Sequence, residues 1–390
     1  MKVIREWRGA MPDEFEQQLT QTLRRNIMQA AALNEVKRTF DIEDIEIDTP
    51  IGREVLVEVK ASGLCHSDLH FAETDYAFPL PAVFGHEMAG IVKEIGPDVR
   101  EFAIGDHVVA CLIQFCGHCE RCLSGQTYQC KHPEETLRSP DEKPRLSHNG
   151  KPVTSGFGIA GFAPWSLVHE DQLVRLPDAL PFPQACLLGC ATATGAGSAI
   201  NVAHVEPGDS VAVIGVGGVG LNVIQAAKLA GALLIIAIDL QPKKEALARK
   251  FGATDFVNAA EGDPVEAVWK LSGGGVMHAF EVIGIKATAQ QTIKMVGIGG
   301  AAYLIGAQKP GTSIEVDVLA DLMLKQASIR GVNMGSTNLK HDIPMYADMY
   351  LQGRLNLDDL ISKEINLSEI NDAYAELKNG VIARSVITSF

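Results

Sequence analysis

Four cysteines, Cys116, Cys119, Cys122 and Cys130, follow one another as C-x2-C-x2-C-x7-C. Thiolates this close in one loop can assemble the tetrahedral S4 shell that zinc prefers, and no coordination position stays open, so the chemistry is structural. Gly117 and Gly125 suit the tight turns that such a lobe, residues 114–131, requires. Half of the eight cysteines lie in this stretch. A chain of this length with no secretory leader is not expected to carry a disulfide framework.

A second constellation is Gly215-Val-Gly217-Gly218-Val219-Gly220, which contains G-x-G-x-x-G. In a chain with 37 glycines the motif alone is weak, but here it follows the apolar run Val211–Ile214 and opens a helical segment at Leu221. The first glycine permits the tight turn, the second lets backbone approach a pyrophosphate, and the third lets helix pack on strand. Free N–H groups at the helix start then meet the phosphates. Asp239 stands nineteen residues after Gly220, at the end of the next apolar strand. A carboxylate there accepts hydrogen bonds from ribose hydroxyls and repels a 2′-phosphate, which favours NAD over NADP; Lys243 and Lys244 soften that preference. The plainer reading of Asp239 is a helix N-cap.

Two further loops are rich in polar chemistry, Cys65-His66-Ser67-Asp68-Leu69-His70 and Gly85-His86-Glu87, and Cys190 stands just before the glycine-rich half. Spacing alone does not unite them, because a lone Cys or His is more often packed than ligating.

The elements that must position these groups fall into two patterns. From Ala30 the chain is rich in strands: 54–60 alternates with period two, and 88–95 and 107–112 also read as strands. Residues 131–152 are polar and read as a long surface loop. Near Gly189 short apolar strands (211–216, 234–239, 255–258, 278–283, 301–305, 328–332) begin to alternate with helical segments (221–230, 243–251, 264–271, 288–296). Strands apolar throughout are covered on both faces, which predicts a doubly wound parallel sheet. The domain reading is an extension over 1–27, a mainly-β domain over 28–191 and 334–390, and a dinucleotide-binding domain over 192–333. Phe15, Leu19, Leu23 and Ile27 space as one face of a short helix. It is either a subunit contact or groove cover, or else a frayed tail ahead of a start at Met28.

Composition bounds the partners. Hydrophobic residues make up 46% and charged residues 21%, the balance of a globular protein. The net charge of −14 and the lack of a basic cluster argue against nucleic acid and anionic membrane surfaces. No apolar run has the length of a bilayer span, and no leader or transit segment is read, so a cytoplasmic location is expected.

From about Met28 to Phe390 the chain resembles the zinc-dependent medium-chain alcohol dehydrogenases. The resemblance rests on Gly-Leu-Cys65-His-Ser-Asp68, Gly85-His86-Glu87, the four-cysteine lobe, Leu188-Gly-Cys190 and Gly215–Gly220, in that order. The long connection after Cys130 is similar to the long-loop branch, which includes animal-type and glutathione-dependent enzymes and tends to be dimeric. The resemblance implies a GroES-like catalytic domain beside the Rossmann domain, a homodimer, and two zinc ions per subunit, one structural and one held by Cys65, His86 and Cys190. Two thiolates and an imidazole would leave a position for an alcohol oxygen. It further implies that Ser67 contacts the substrate oxygen and that His70 passes the proton to solvent. Asp68 would orient His86, and Glu87 would approach the metal or serve as a structural carboxylate. His66, Thr194 and Lys244, with the loop residues Gly215, Gly217, Gly218, Val219 and Gly220, would contact the cofactor. Arg384 would bind the pyrophosphate, or else be a surface arginine. Cys111 and Cys186 read as small core residues.

Tyr76, Leu112 and Phe162 fall where relatives line the alcohol channel, an apolar set that suits a hydrophobic primary alcohol, aromatic or of medium chain length. Two rivals stand beside NAD-linked alcohol oxidation: a formaldehyde dehydrogenase acting on a glutathione or mycothiol adduct, and a nicotinamide-binding scaffold or sensor with structural zinc only. Glu134 and Glu135, where a cation would help to hold such an adduct, weaken the first; the intact Cys65, His86 and Cys190 set weakens the second.

Overall fold

The computed structural model describes residues 27–380 and 383–390. The helix expected before Met28 lies outside these residues, apart from Ile27, which opens a strand. Three sheets organise the chain. Ser210–Ile214 is the centre of a six-stranded parallel sheet. Leu234–Asp239 and then Asp255–Asn258 lie on one side; Val276–Glu281, Val296–Leu304 and Ser328–Gly331 lie on the other. The chain reverses direction across the sheet beside Ser210–Ile214, which puts a crevice at the carboxyl ends of its strands, where such folds bind ligands.

The second sheet is built around Glu54–Gly63, which pairs with Glu87–Ile95, Trp165–His169 and Ser385–Ser389. The strand expected from the alternation over residues 54–60 is found as Glu54–Gly63, and most of it is buried. The carboxyl-terminal strand thus joins the sheet built around Glu54–Gly63, with Val386 opposite Gly63.

The third sheet closes into a small barrel from Ile27–Leu33, Asp41–Ile47, Leu146–His148, Lys151–Ser155 and Ala82–Val83. It corrects the surface-loop reading of residues 131–152. That polar stretch contains two barrel strands, and its arginines point inward. Arg138 and Arg145 both donate to Glu54, at 2.6 and 2.7 Å, and Arg138 also pairs with Asp48 at 2.7 Å. Burial alone would raise the Glu54 pKa, but Arg138 and Arg145 reverse this and hold it below the ordinary carboxylate value. Ion pairs closed by residues some ninety positions apart give this hydrophilic segment an interior that hydropathy does not show.

Among the described residues no single helix is long and apolar enough to cross a membrane. One continuous apolar core runs from Ala89 and Cys186 to Val213 and Phe251, joining the second sheet to the parallel one.

Candidate functional site

Backbone register brings the catalytic cysteine and histidine loops together. Cys65 leaves the strand Glu54–Gly63 and begins the helix His66–Glu73; Glu87 starts the strand paired with it, opposite Gly63. A Cβ on Gly63 would collide with the Glu87 carboxylate, so this position has no room for a side chain. Cys190 precedes the helix Ala191–Gly197, and the turn before it presses on the end of the strand His107–Ala110 so closely that a Cβ on Gly189 would strike the Ala110 carbonyl.

The donor atoms of Cys65, His86, Glu87 and Cys190 lie within 4.8 Å of one another, and all four residues are buried. His86 Nε2 is 3.3 Å from the Cys190 sulfur, while Nδ1 is 3.0 Å from Asp68. Asp68 also accepts the Gly85 N–H at 3.3 Å. A fully buried carboxylate on Nδ1 fixes the ring so that Nε2 presents its lone pair to the sulfurs. Two soft thiolates and an imidazole suit zinc. The Cys65 thiol is held well below its ordinary value by the hydrogen bond from Cys190 and, against burial, by the charge of Arg384. Glu87 is pushed up to about 7 by burial, with Arg384 opposing.

Arg384 is buried and donates to Glu87 at 3.1 Å and to the Cys65 sulfur at 3.6 Å. This rules out the surface reading of Arg384. Its guanidinium also packs on the glycine loop: a Cβ on Gly218 would stand 2.9 Å from Cζ.

The four-cysteine lobe is compact and local. The sulfurs of Cys119 and Cys122 are 3.5 Å apart, those of Cys116 and Cys122 3.9 Å, and those of Cys119 and Cys130 4.0 Å. Backbone N–H groups of Cys116, Cys119 and His132 aim at sulfur. Such donors stabilise thiolates, so the set fits an S4 metal shell. All eight cysteines are free, and the two not in either set, Cys111 and Cys186, are buried, with burial raising the Cys111 thiol to about 12.

The glycine loop closes the other side. Gly215 has φ +107°, and a Cβ on Gly220 would collide with the Gly215 carbonyl, so both glycines are sterically required. Asp239 accepts the Val216 N–H at 2.9 Å and the Gln241 N–H at 3.1 Å, and pairs with Lys244 at 2.9 Å. It braces the loop.

A cavity of about 510 Å³ joins these parts. Cys65, Cys190, Ser67, His70 and Thr194 line it together with Gly215–Gly220, Asp239 and Lys244. His70 Nδ1 is buried without a partner, and burial lowers the His70 pKa. His66 lies exposed in the same cavity, 6.4 Å ring to ring from His70. Tyr76 and Leu112 also line this cavity.

Phe162 does not. It is fully buried beneath Phe40 and Tyr374, with ring centroids at 5.8 and 6.3 Å, and belongs to the barrel core. Gly85 explains the displacement: the chain at Phe162 lies so close behind it that a Cβ on Gly85 would fall 2.6 Å from the Phe162 nitrogen. The aromatic at the cavity is Phe157, 5.1 Å from the His86 ring and 5.1 Å from Phe71. Reading the sequence missed Phe157 and Phe71. The available signal was Gly156-Phe157-Gly158, an aromatic between two glycines. Glu134 and Glu135 stand away from the cavity lining, and Glu135 pairs with His118 on the cysteine lobe at 2.7 Å.

A parallel crevice with a glycine loop, opening on the same cavity as a buried cysteine–histidine set, is an arrangement that could hold both a dinucleotide and a metal ion. Residues 52–178 match the alcohol dehydrogenase GroES-like domain, and residues 218–352 match the zinc-binding dehydrogenase family. Alcohol dehydrogenase-like 6 of Arabidopsis thaliana is 36% identical over 352 residues, 89% of this chain and 91% of that protein. A zinc-binding-domain alcohol dehydrogenase protein from Burkholderia ambifaria is 37% identical with a TM-score of 0.88, over 93% of this chain and 99% of that one. The benzyl alcohol dehydrogenase of Acinetobacter calcoaceticus is 34% identical with a TM-score of 0.87, over the same shares of 93% and 99%. The chain belongs to the zinc-dependent medium-chain alcohol dehydrogenase family and is an oxidoreductase.

Proposed function

We propose that this enzyme oxidises an aromatic primary alcohol reversibly to its aldehyde, with NAD as hydride acceptor. The observation that carries the reading is the single cavity in which the Cys65, His86 and Cys190 donors face the glycine loop across an aromatic wall. Zinc on those three residues would supply a Lewis acid that makes an alcohol acidic near neutral pH, and NAD on the glycine loop would supply the hydride acceptor. Ser67 would hold the substrate hydroxyl proton, and His70 would receive it, a role supported by burial that lowers its pKa and by an Nδ1 with no hydrogen-bond partner. Asp68 keeps His86 in one tautomer. Phe71, Tyr76 and Phe157 exclude water from the reacting carbon and offer ring faces and edges to an aryl group; Phe71 and Tyr76 stack at 4.7 Å. Four cysteines of the lobe would hold a second, structural zinc.

Asp239 supports NAD, although its pairing with Lys244 leaves less negative charge to repel a 2′-phosphate. A homodimer is part of the proposal. It is supported by the unpaired outer edge of Ser328–Gly331 and by exposed Ile298, Leu319, Met323 and Leu324 near that side of the parallel sheet. The thiol-adduct reading needs a free cation for carboxylates, yet Lys244, Lys378 and Arg384 in the cavity are paired with Asp239, Glu73 and Glu87.

The test is NADH formation across benzylic, short and long aliphatic alcohols, and formaldehyde with added thiol, together with a zinc count. Benzylic turnover with two zincs per subunit is expected. Turnover confined to the formaldehyde–thiol adduct would replace this reading.

A further inference from the structure

A second cavity, of about 290 Å³, is lined by Phe78, Leu137, Val153 and Phe157 and by the polar Gln114 and Ser155, with Arg138 and Arg145 also in its lining. Phe157 is the one residue that lines both cavities. We infer that Phe157 is a partition that sets how long a substrate the enzyme accepts, and that the cavity behind it is an uncharged alkyl-tail subsite which the ring withholds. The inference rests on the alcohol-oxidising reading above.

The ring is held as a wall. Phe157 has φ 55° and ψ 20°, a left-handed conformation that side-chain-bearing residues rarely adopt. Its neighbours impose it. A Cβ on Gly156 would come within 2.8 Å of the Val83 carbonyl, and one on Gly158 within 2.6 Å of the Gln172 amide oxygen. Gln172, fully buried, donates to the Phe157 carbonyl at 3.0 Å and to the Cys111 carbonyl at 3.2 Å. The peptide therefore cannot shift without displacing the amide that also fixes the residue before Leu112. The ring meets Phe71 at 87° and His86 at 77° in edge-to-face contacts, and it lies 5.9 Å from Phe84. Rotation outward is opposed on every side that these rings occupy.

The chemistry of the tail follows from the two arginines in the second cavity. Arg138 is committed to Glu54, Asp48 and the carbonyls of Thr49 and Lys143. Arg145 is committed to Glu54 and the carbonyls of Thr136 and Gly158. Neither guanidinium is free for a carboxylate, so a hydrocarbon tail fits and an anionic one does not.

The experiment compares wild type, Phe157→Ala and Phe157→Leu, each with NAD and with benzyl alcohol, n-butanol, n-decanol and an ω-hydroxy acid of the length of decanol. A newly buried methylene is worth about fourfold in kcat/KM. The decanol-to-butanol ratio should therefore rise by about tenfold or more in Phe157→Ala and by less in Phe157→Leu, with no gain for the hydroxy acid. The dissociation constant of decanamide, an unreactive probe, should tighten in the same order. Wild type active on benzyl alcohol, with both ratio and decanamide affinity unchanged in a folded variant, would overturn the partition alone. Wild type silent on every alcohol would overturn the function proposed above, and decanamide binding would then decide the partition by itself. If Phe157→Ala does not fold, Phe157→Leu carries the same comparison.

Discussion

The two cysteine-rich regions are built on opposite plans. The lobe draws four donors from fifteen consecutive residues, and short turns with N–H···S hydrogen bonds hold them. The catalytic set draws Cys65, His86 and Cys190 from positions up to 125 apart, and β-pairing, a glycine contact and a buried Asp68 bring them together. A local site depends on its own loop; a distributed site depends on the whole packing around it. The lobe has four equivalent thiols and no open position. The catalytic set has mixed donors, a buried carboxylate with an unpaired oxygen beside it, and an opening to a cavity. Local closure suits structure, and distributed, open geometry suits chemistry.

The strongest way to break the comparison is to remove one donor from each plan. Cys65→Ala should lower kcat/KM by more than about a thousandfold, since the Lewis acid would be lost, while zinc content falls from two to one and the fold survives. Full activity in that variant would remove the zinc mechanism. Cys119→Ser should also cost one zinc, but should show as a lowered melting temperature and a shortened lifetime of activity rather than an immediate loss of turnover. A variant as inactive as Cys65→Ala from the start would erase the distinction between the sites.

Support of a ligand should cost less than the ligand itself. Asp68→Asn should weaken zinc at the catalytic set by about 10–100-fold, read by competition with a chelator, and leave the lobe's zinc in place. His70→Gln should lower kcat by about tenfold to a hundredfold near neutral pH, with partial recovery on addition of a small exogenous base. No change in kcat would make His70 a bystander.

The smallest effect concerns the ion pairs of Glu54 with Arg138 and Arg145 from the barrel segment. Glu54 titrates below its ordinary 4.5 in the folded chain because Arg138 and Arg145 outweigh burial. A lowered folded pKa means the stabilisation is fully present above about 4.5 and is lost as pH falls through the folded value. Urea unfolding should therefore show stability declining below that pH in wild type, and the decline should be shallower in Glu54→Gln.

His169 sharpens the same profile from the other side. Burial, then the charge of Arg53, lowers its pKa to about 4 from 6.5, so its neutral form is the folded one. Its contribution is complete above 6.5 and fades between 6.5 and about 4. Acid should thus act on the barrel and its neighbouring sheet in two steps, histidine first.

Legibility tracked how far apart in the chain the deciding contacts lie. The lobe, the glycine loop, Asp239 and the alternation of apolar strands with helices are local patterns, because turn geometry, phosphate approach and double-sided burial each constrain neighbouring residues. The parallel sheet followed those expectations in strand content. Residues 131–152 did not, since Arg138 and Arg145 find their counter-charge on Glu54, and no local pattern shows that a polar stretch has a buried partner. Phe162 was misplaced for a related reason. A phenylalanine's type says that it is apolar, not whether it faces a cavity or a core, and a close approach at Gly85 decided it.

By itself, then, the sequence determined which groups are able to do chemistry: eight thiols with one zinc-like spacing, a phosphate-binding turn, and two histidine-bearing loops. The tertiary structure decided which of them meet. It set Asp68 on His86, turned Arg384 inward onto Glu87, and brought Phe157 into the lining of two cavities. The physical reason is that donor type and turn preference are properties of short segments. Burial, orientation and the shape of empty space arise only when strands distant in the chain pair and glycines let them approach.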